Sequence, residues 1–310
     1  KSYICNAKKN FFKVFNKNLK LNNKKISTET LLFFTSSALF FLFSKIFDIG
    51  ITENNILSII LFSFVVFFGL PHGALDTLIA KKFKIYNNLY EFLAFNLIYI
   101  LVAIFIFLIW QFLPILSLSI FLIISGFHFS EDWSSLKIQK KKKLALGFSV
   151  INLPILFNKE SVENIYYYIT NSNYIFTFSS IQVVFGFLNL LFLVYFIISS
   201  SFPANTLLQS LIIIFSAYFL NPLLFFISYF CFFHSYKNFE EAKEILQKIS
   251  KVKIRLVALT NTILSLLIGL IVFFLFYSDF NLKNITSLIF IGLAALTVPH
   301  MLLRILIKQK

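Results

Sequence analysis

Apolar residues in this chain come in runs of about 18 or more, parted by short polar segments. A run of that length crosses the hydrocarbon core of a bilayer as a helix. The pattern therefore predicts an all-α fold, a polytopic transmembrane helical bundle. We read ten candidate spans, at 30–47, 56–80, 90–113, 115–131, 144–157, 176–199, 206–220, 222–236, 256–278 and 285–307. The fifth is short, and a tilted, half-inserted or re-entrant segment fits it as well as a full crossing does. The bundle, 30–310, reads as one domain preceded by a basic tail, 1–29. Within 238–253, Glu240, Glu241 and Glu244 mix with lysines and spaced Ala, Ile and Leu, which predicts an amphipathic helix at the membrane surface continuing from the eighth span. The segment 158–173, with Tyr166, Tyr167 and Tyr168, reads as an outer loop carrying an interfacial aromatic patch.

Charge sets the orientation. With the N-terminus in the cytoplasm, 25 of the 28 lysines and arginines fall on inside segments, and the outside keeps Lys45, Lys159 and Lys283. This asymmetry supports ten spans with both termini cytoplasmic in the inner (plasma) membrane, since removing one span puts a basic loop on the wrong face. The net charge of +15 is thereby explained by topology, and no nucleic-acid partner is expected. Charged residues make up 13% of the chain, against about 25% in soluble domains. The 44 phenylalanines fit lipid-facing surface. Cys5 and Cys231 are too few and too far apart for a disulfide framework or a thiolate metal site. No cleavable signal peptide is expected, because the first long apolar run begins near Leu31.

The histidines carry the candidate chemistry. There are four, His72, His128, His234 and His300, one each in spans two, four, eight and ten. In the charge-based topology all four lie in the inward half of their spans. His72 and His128 each precede a cytoplasmic lysine by nine residues, about 14 Å at the helical rise. A lone intramembrane histidine commonly does no more than hydrogen-bond a neighbouring helix. Four at similar depth, with no others in the chain, point to a shared site. Asp76 and Asp132 follow His72 and His128 at i+4, a spacing at which a carboxylate can orient a metal-bound imidazole, on its own helix or a neighbouring one. Pro71 and Pro299 precede two of the histidines and predict kinks there. Four neutral imidazoles without a thiolate suit iron, copper, nickel or zinc, and two histidine pairs could instead hold haem. A zinc-protease motif is absent.

At these residues the chain resembles the Brp/Blh family of membrane β-carotene dioxygenases. The matching segments are Gly-Leu-Pro-His-Gly-Ala-Leu-Asp at 69–76, Gly-Phe-His-Phe-Ser-Glu-Asp at 126–132, Phe-His-Ser-Tyr-Lys at 233–237 and Val-Pro-His-Met at 298–301. The resemblance implies cleavage of the central 15,15′ double bond of β-carotene with O₂ to give two retinal, and a functional link to microbial rhodopsins. It implies Fe(II) as cofactor, with His72, His128, His234 and His300 as ligands. Asp76 and Asp132 match acidic positions of the motifs. The family's third motif usually reads His-Ser-x-Arg-His, whereas here Lys237 and Asn238 replace its last two residues. We place Asn238 beside the ligands as a hydrogen-bonding group.

The expected enzyme is a non-haem iron dioxygenase whose substrate arrives sideways from the lipid bilayer. Phe127, Phe129, Trp133, Tyr229, Phe232 and Phe233 are assigned to the polyene by their nearness in sequence to the histidines. No side-chain acid or base is required. Two other classes compete with this reading: a membrane haem protein, and a non-catalytic retinal- or carotenoid-binding helper of rhodopsin biogenesis, for which Asn238 is the main argument.

Overall fold

The computed structural model describes residues 26–46, 55–134, 138–199, 202–277 and 279–309, with the side chains of residues 55–58 and 72 also outside the description. Most of the basic tail therefore lies outside it. Every regular element among the described residues is helical: α1 (Thr28–Ile46), α2 (Asn55–Phe64), α3 (Asp76–Lys82), α4 (Leu89–Phe112), α5 (Pro114–Ser130), α6 (Lys140–Phe157), α7 (Lys159–Thr170), α8 (Ile175–Ser199), α9 (Ala204–Phe219), α10 (Pro222–Tyr229), α11 (Tyr236–Ile245), α12 (Lys251–Phe276) and α13 (Leu282–Lys308). Four segments wind differently. Val65–Gly69 and Phe230–Ser235 are π-helical, and Leu70–Leu75 and Glu131–Trp133 are 3₁₀.

Local chemistry sets the ends. Asn88 accepts from the Glu91 amide at 2.9 Å while the Glu91 carboxylate reaches back to the Asn87 amide at 2.6 Å, a reciprocal cap that starts α4. Pro114 and Pro222 open α5 and α10, where a missing N–H costs nothing. Asn171 ends α7 in the left-handed conformation.

Among the described residues, seven stretches are long and apolar enough to cross a membrane: Thr28–Ile46, Ile59–Lys82, Leu89–Phe112, Pro114–Trp133, Ile175–Ser199, Lys251–Phe276 and Leu282–Lys308. Three of the ten expected spans are not among them. Helix α6 begins with four lysines and α9 has 16 residues. Helix α10 winds on through the π turn into the polar α11, and the apolar part, 222–236, covers only roughly 22 Å against a hydrocarbon core of about 30 Å. All three bury much of their surface against other helices, so protein rather than lipid solvates them. Two further expectations shift. The amphipathic helix is α11, ending at Ile245, because the chain turns before Ser250 caps α12. The segment around Tyr166 is the helix α7 rather than a loop. Its Val162, Ile165, Tyr166 and Ile169 are buried, and the Tyr166 hydroxyl donates to Gln182 at 2.9 Å.

Small residues and hydroxyls join the helices, a mode of packing common between apolar helices of spanning length. Ser36 and Ser37 of α1 meet Ser228 of α10 at 2.7 and 2.8 Å, and Ser216 of α9 donates to Ser37 at 2.9 Å. Gln209 of α9 donates to Thr30 at 2.6 Å and accepts from the Trp133 indole at 2.7 Å. Gly147 of α6 lies so close to α5 that a methyl group there would overlap the Gly126 carbonyl oxygen and the Ser130 backbone. That contact holds the end of α5, where His128 sits.

Gly147→Ala should therefore destabilise the bundle by about 1–3 kcal/mol, because backbone rather than a flexible side chain must yield. Gly269→Ala, in open space on α12, should leave stability unchanged or raise it slightly. Paired thermal melts in detergent read the difference, and equal melting points would show that the α5–α6 contact is not limiting.

Candidate functional site

The irregular windings coincide with the motifs. Pro71 has no N–H to continue the helix that carries Val65–Gly69, and the chain tightens there into the 3₁₀ turn that contains His72. Asp132 stands on the 3₁₀ turn after α5, and His234 on the π segment after α10. His128 is in the last turn of α5, and His300 follows Pro299 inside α13. A π segment within a helix frequently marks a functional position.

These elements bring three imidazoles together. The rings of His128 and His234 have centroids 4.7 Å apart, and those of His128 and His300 5.4 Å apart, in near-perpendicular planes of 75° and 79°. All three residues are buried. The side chain of His72 lies outside the described residues. With nitrogen ligands at roughly 2.1 Å from an ion, two bound imidazoles have centroids about 4.6 Å apart at a right angle and about 5.4 Å apart at a tetrahedral angle. Both measured spacings match that range. Among the described residues no group of three or more His, Cys, Asp and Glu side chains is arranged to hold a metal ion. The fit therefore rests on the paired ring spacings and on the chemistry of the donors. Two imidazoles on opposite faces of one haem would stand about 6 Å apart, which neither pair does.

Each of two imidazoles is tied to a carboxylate on another helix. Nδ1 of His234 lies 3.0 and 2.9 Å from the two oxygens of Asp132, and Nδ1 of His300 lies 2.9 Å from both oxygens of Asp76. A carboxylate only accepts, so Nδ1 carries the proton and the ring lone pair is on Nε2, the nitrogen that would face a metal. Each of the two aspartates thus meets an imidazole from another helix. Asp132 is 3% exposed and gathers further donors: the Tyr229 hydroxyl at 2.7 Å, the Asn238 amide at 3.1 Å and, at its backbone carbonyl, the Lys237 ammonium. Asn238 also donates to the His234 carbonyl at 2.8 Å and accepts from Arg304 at 2.6 Å. Arg304 in turn lies 3.9 Å from Glu131 and 4.0 Å from Glu241. Asn238 therefore braces the carboxylate that orients His234 and links it to the helix of His300.

An apolar cavity of about 190 Å³ opens beside this cluster. His128, His300 and Asp76 line it, with Phe121, Phe129, Phe226 and Phe230 as aromatic walls and Asn96, Tyr99 and Asn261 as polar ones. Of the six aromatic residues assigned by sequence proximity, Phe129 is in the wall. Phe127 points outward against Phe148, and Phe232 packs against Phe64 and Phe68. Trp133 and Phe233 are core residues in tilted ring contact with each other, and Tyr229 serves Asp132. Neighbours of a histidine in sequence point around the helix, so proximity alone could not select the wall. Tyr99, Asn96 and Asn261 are polar residues inside apolar spans, a signal that marks functional positions. A second cavity of about 150 Å³, lined by Glu241, Arg304, Lys308 and Asn238, shares with the first Asp76 and His300 and no other residue.

Fold and site together define a class: a helical bundle with segments of membrane-spanning length, holding a carboxylate-tied histidine cluster against an apolar cavity. Comparison with known proteins narrows it. The family model described as Beta-carotene 15,15'-dioxygenase matches residues 63–308. A protein of an uncultured marine bacterium (66A03), named Beta-carotene 15,15'-dioxygenase, is 34% identical over 257 residues, covering 77% of this chain and 90% of its own length. No solved structure matches. The chain belongs to the β-carotene 15,15′-dioxygenase family.

Asp132→Asn should lower the affinity of the purified protein for a divalent ion such as Co(II) by about ten- to a hundredfold, with Asp76→Asn acting similarly. Titration of apo protein reads this directly. Wild-type affinity in both variants would remove the carboxylates from any role at the imidazoles.

Proposed function

We propose that this chain is a membrane-embedded, Fe(II)-dependent dioxygenase that cleaves the central 15,15′ double bond of β-carotene with O₂ to yield two molecules of retinal. The observation that carries the reading is the cluster of His128, His234 and His300, tied to Asp132 and Asp76, with His128, His300 and Asp76 in the wall of an apolar cavity. Family membership supports the substrate and the reaction, since the relative bears that name. In this proposal ten segments cross or enter the inner membrane with both termini cytoplasmic, α6, α9 and α10 being the shorter ones.

Iron(II), held by His72, His128, His234 and His300, would supply the binding and activation of O₂. The residues of the chain do the rest. Asp132 and Asp76 keep the protons of His234 and His300 on Nδ1 and fix the two rings. Phe121, Phe129, Phe226 and Phe230 give the polyene an apolar bed and keep water away from it. The volume is below the roughly 300–1,000 Å³ that encloses a whole drug-sized ligand, so a long polyene would extend beyond it into lipid. Its side walls come from α4, through Asn96, Tyr99 and Ile100, and from α12, through Asn261, Leu264, Ser265 and Ile268. Both helices are exposed along most of their length, and they meet through Phe107 and Phe276 at 5.2 Å. The gap below that ring contact is the lateral entrance in this proposal.

The stoichiometry needs nothing further. One O₂ and one carbon–carbon double bond become two carbonyl groups, with no external electrons or protons. A site without a general acid or base is sufficient, and positioning supplies the protein's contribution. Asn238 gives no separate argument for a non-catalytic helper, because it is built into the Asp132 network.

His72→Ala and His300→Ala should each abolish both bound iron and retinal formation, measured by metal analysis and by chromatography of the products. Full activity in either variant would contradict the four-ligand assignment.

A further inference from the structure

Two hydrogen-bonded chains in the bundle share one form. In the first, the Tyr229 hydroxyl donates to Asp132 Oδ2 at 2.7 Å, and Asp132 receives His234 Nδ1 at 2.9 Å. In the second, the Tyr99 hydroxyl donates to Asp76 Oδ2 at 2.9 Å, and Asp76 receives His300 Nδ1 at 2.9 Å. The residues come from unrelated stretches of sequence, yet tyrosine, carboxylate and imidazole repeat in the same order. The surroundings differ. Tyr229 is fully buried in the core and lines neither cavity. Tyr99 is half-buried on α4 and forms part of the wall of the apolar cavity, beside Asp76 and His300.

We propose that Tyr99 is a positioning residue that transmits occupancy of the apolar cavity to His300 through Asp76. The physical cause is dielectric. A hydrogen bond strengthens when water is excluded from around it. An apolar chain lying against Tyr99 would exclude water from its hydroxyl and strengthen its donation to Asp76. Asp76 shares its negative charge between two donors, Tyr99 and His300. His300 lines the same cavity, so an occupant resets the balance between the two hydrogen bonds of Asp76, and with it the donor strength of the ring at Nε2. The Tyr229 chain is sealed from both cavities, so it sets His234 once and does not respond. One imidazole would then be fixed and the other would sense substrate. This inference rests on the metal-site reading of the preceding section.

The test uses the full-length protein loaded with Co(II), without O₂, and electron paramagnetic resonance, which diamagnetic β-carotene does not obscure. Tyr99→Phe keeps the ring in the wall and removes the hydroxyl, and Tyr229→Phe is the matched control. Bound carotene is quantified in each sample from its own absorption. Adding β-carotene should change the Co(II) signal of the wild type and of Tyr229→Phe, and that change should be lost in Tyr99→Phe although carotene is bound. A wild-type response in Tyr99→Phe, equal loss in both variants, or no response in the wild type with metal and carotene both bound would each overturn the proposal while leaving the proposed reaction standing. A wild-type protein that binds neither Co(II) nor Fe(II) would instead overturn the metal-site reading, and this inference with it.

Discussion

The structure turns on the burial of two carboxylates, Asp76 and Asp132, inside a bundle of apolar helices. A carboxylate in such a place is tolerated only when its charge is shared with donors from several directions. Asp132 obtains them from His234, Tyr229 and Asn238, with the Lys237 ammonium close by on its backbone carbonyl, and Asp76 from His300 and Tyr99. Every side-chain donor comes from a helix other than the carboxylate's own. Satisfying the charges therefore fixes how the motif-bearing helices sit against one another. Arg304 extends the constraint, because its contacts to Asn238, Glu131 and Glu241 tie the helix of His300 to the elements carrying Asp132 and His234.

The remaining features serve that arrangement. Gly147 lets α6 approach the end of α5 closely enough to hold His128 in place. The π and 3₁₀ windings aim Asp132 and His234 at angles that a regular helix would not give them. The result is asymmetric. Charged residues flank the Asp76–His300 pair on one side, and an apolar cavity bordered by the long, exposed apolar helices α4 and α12 lies on the other. Such an arrangement suits a reaction with an apolar organic substrate.

Much of this was legible in the sequence, and the rest was hidden for identifiable reasons. The long apolar runs announced the all-helical fold, and the family resemblance lay in four motifs. The number of long spans was not legible, because hydropathy cannot separate a helix solvated by lipid from one solvated by protein, as α6, α9 and α10 show. The Asp–His pairing was half legible. Residues i and i+4 lie about 40° apart around an α-helix but about 120° apart around a 3₁₀ helix. The tight winding of 70–75 leads into Asp76, which meets His300 of α13, and nothing in the residue spacing signals that partner. The cavity walls were least legible. Phe121, Phe226 and Phe230 are indistinguishable in sequence from dozens of other phenylalanines, whereas Tyr99, Asn96 and Asn261 stand out as polar residues within apolar spans.

The most direct measurement is product analysis on protein purified anaerobically in detergent, reconstituted with Fe(II) and then given β-carotene and O₂. The account predicts two retinal formed and one O₂ consumed per β-carotene, with no product when iron is withheld. A longer apocarotenal would contradict the position of cleavage. No product from protein that has bound both iron and carotene, alongside an active relative, would contradict the enzymatic reading itself.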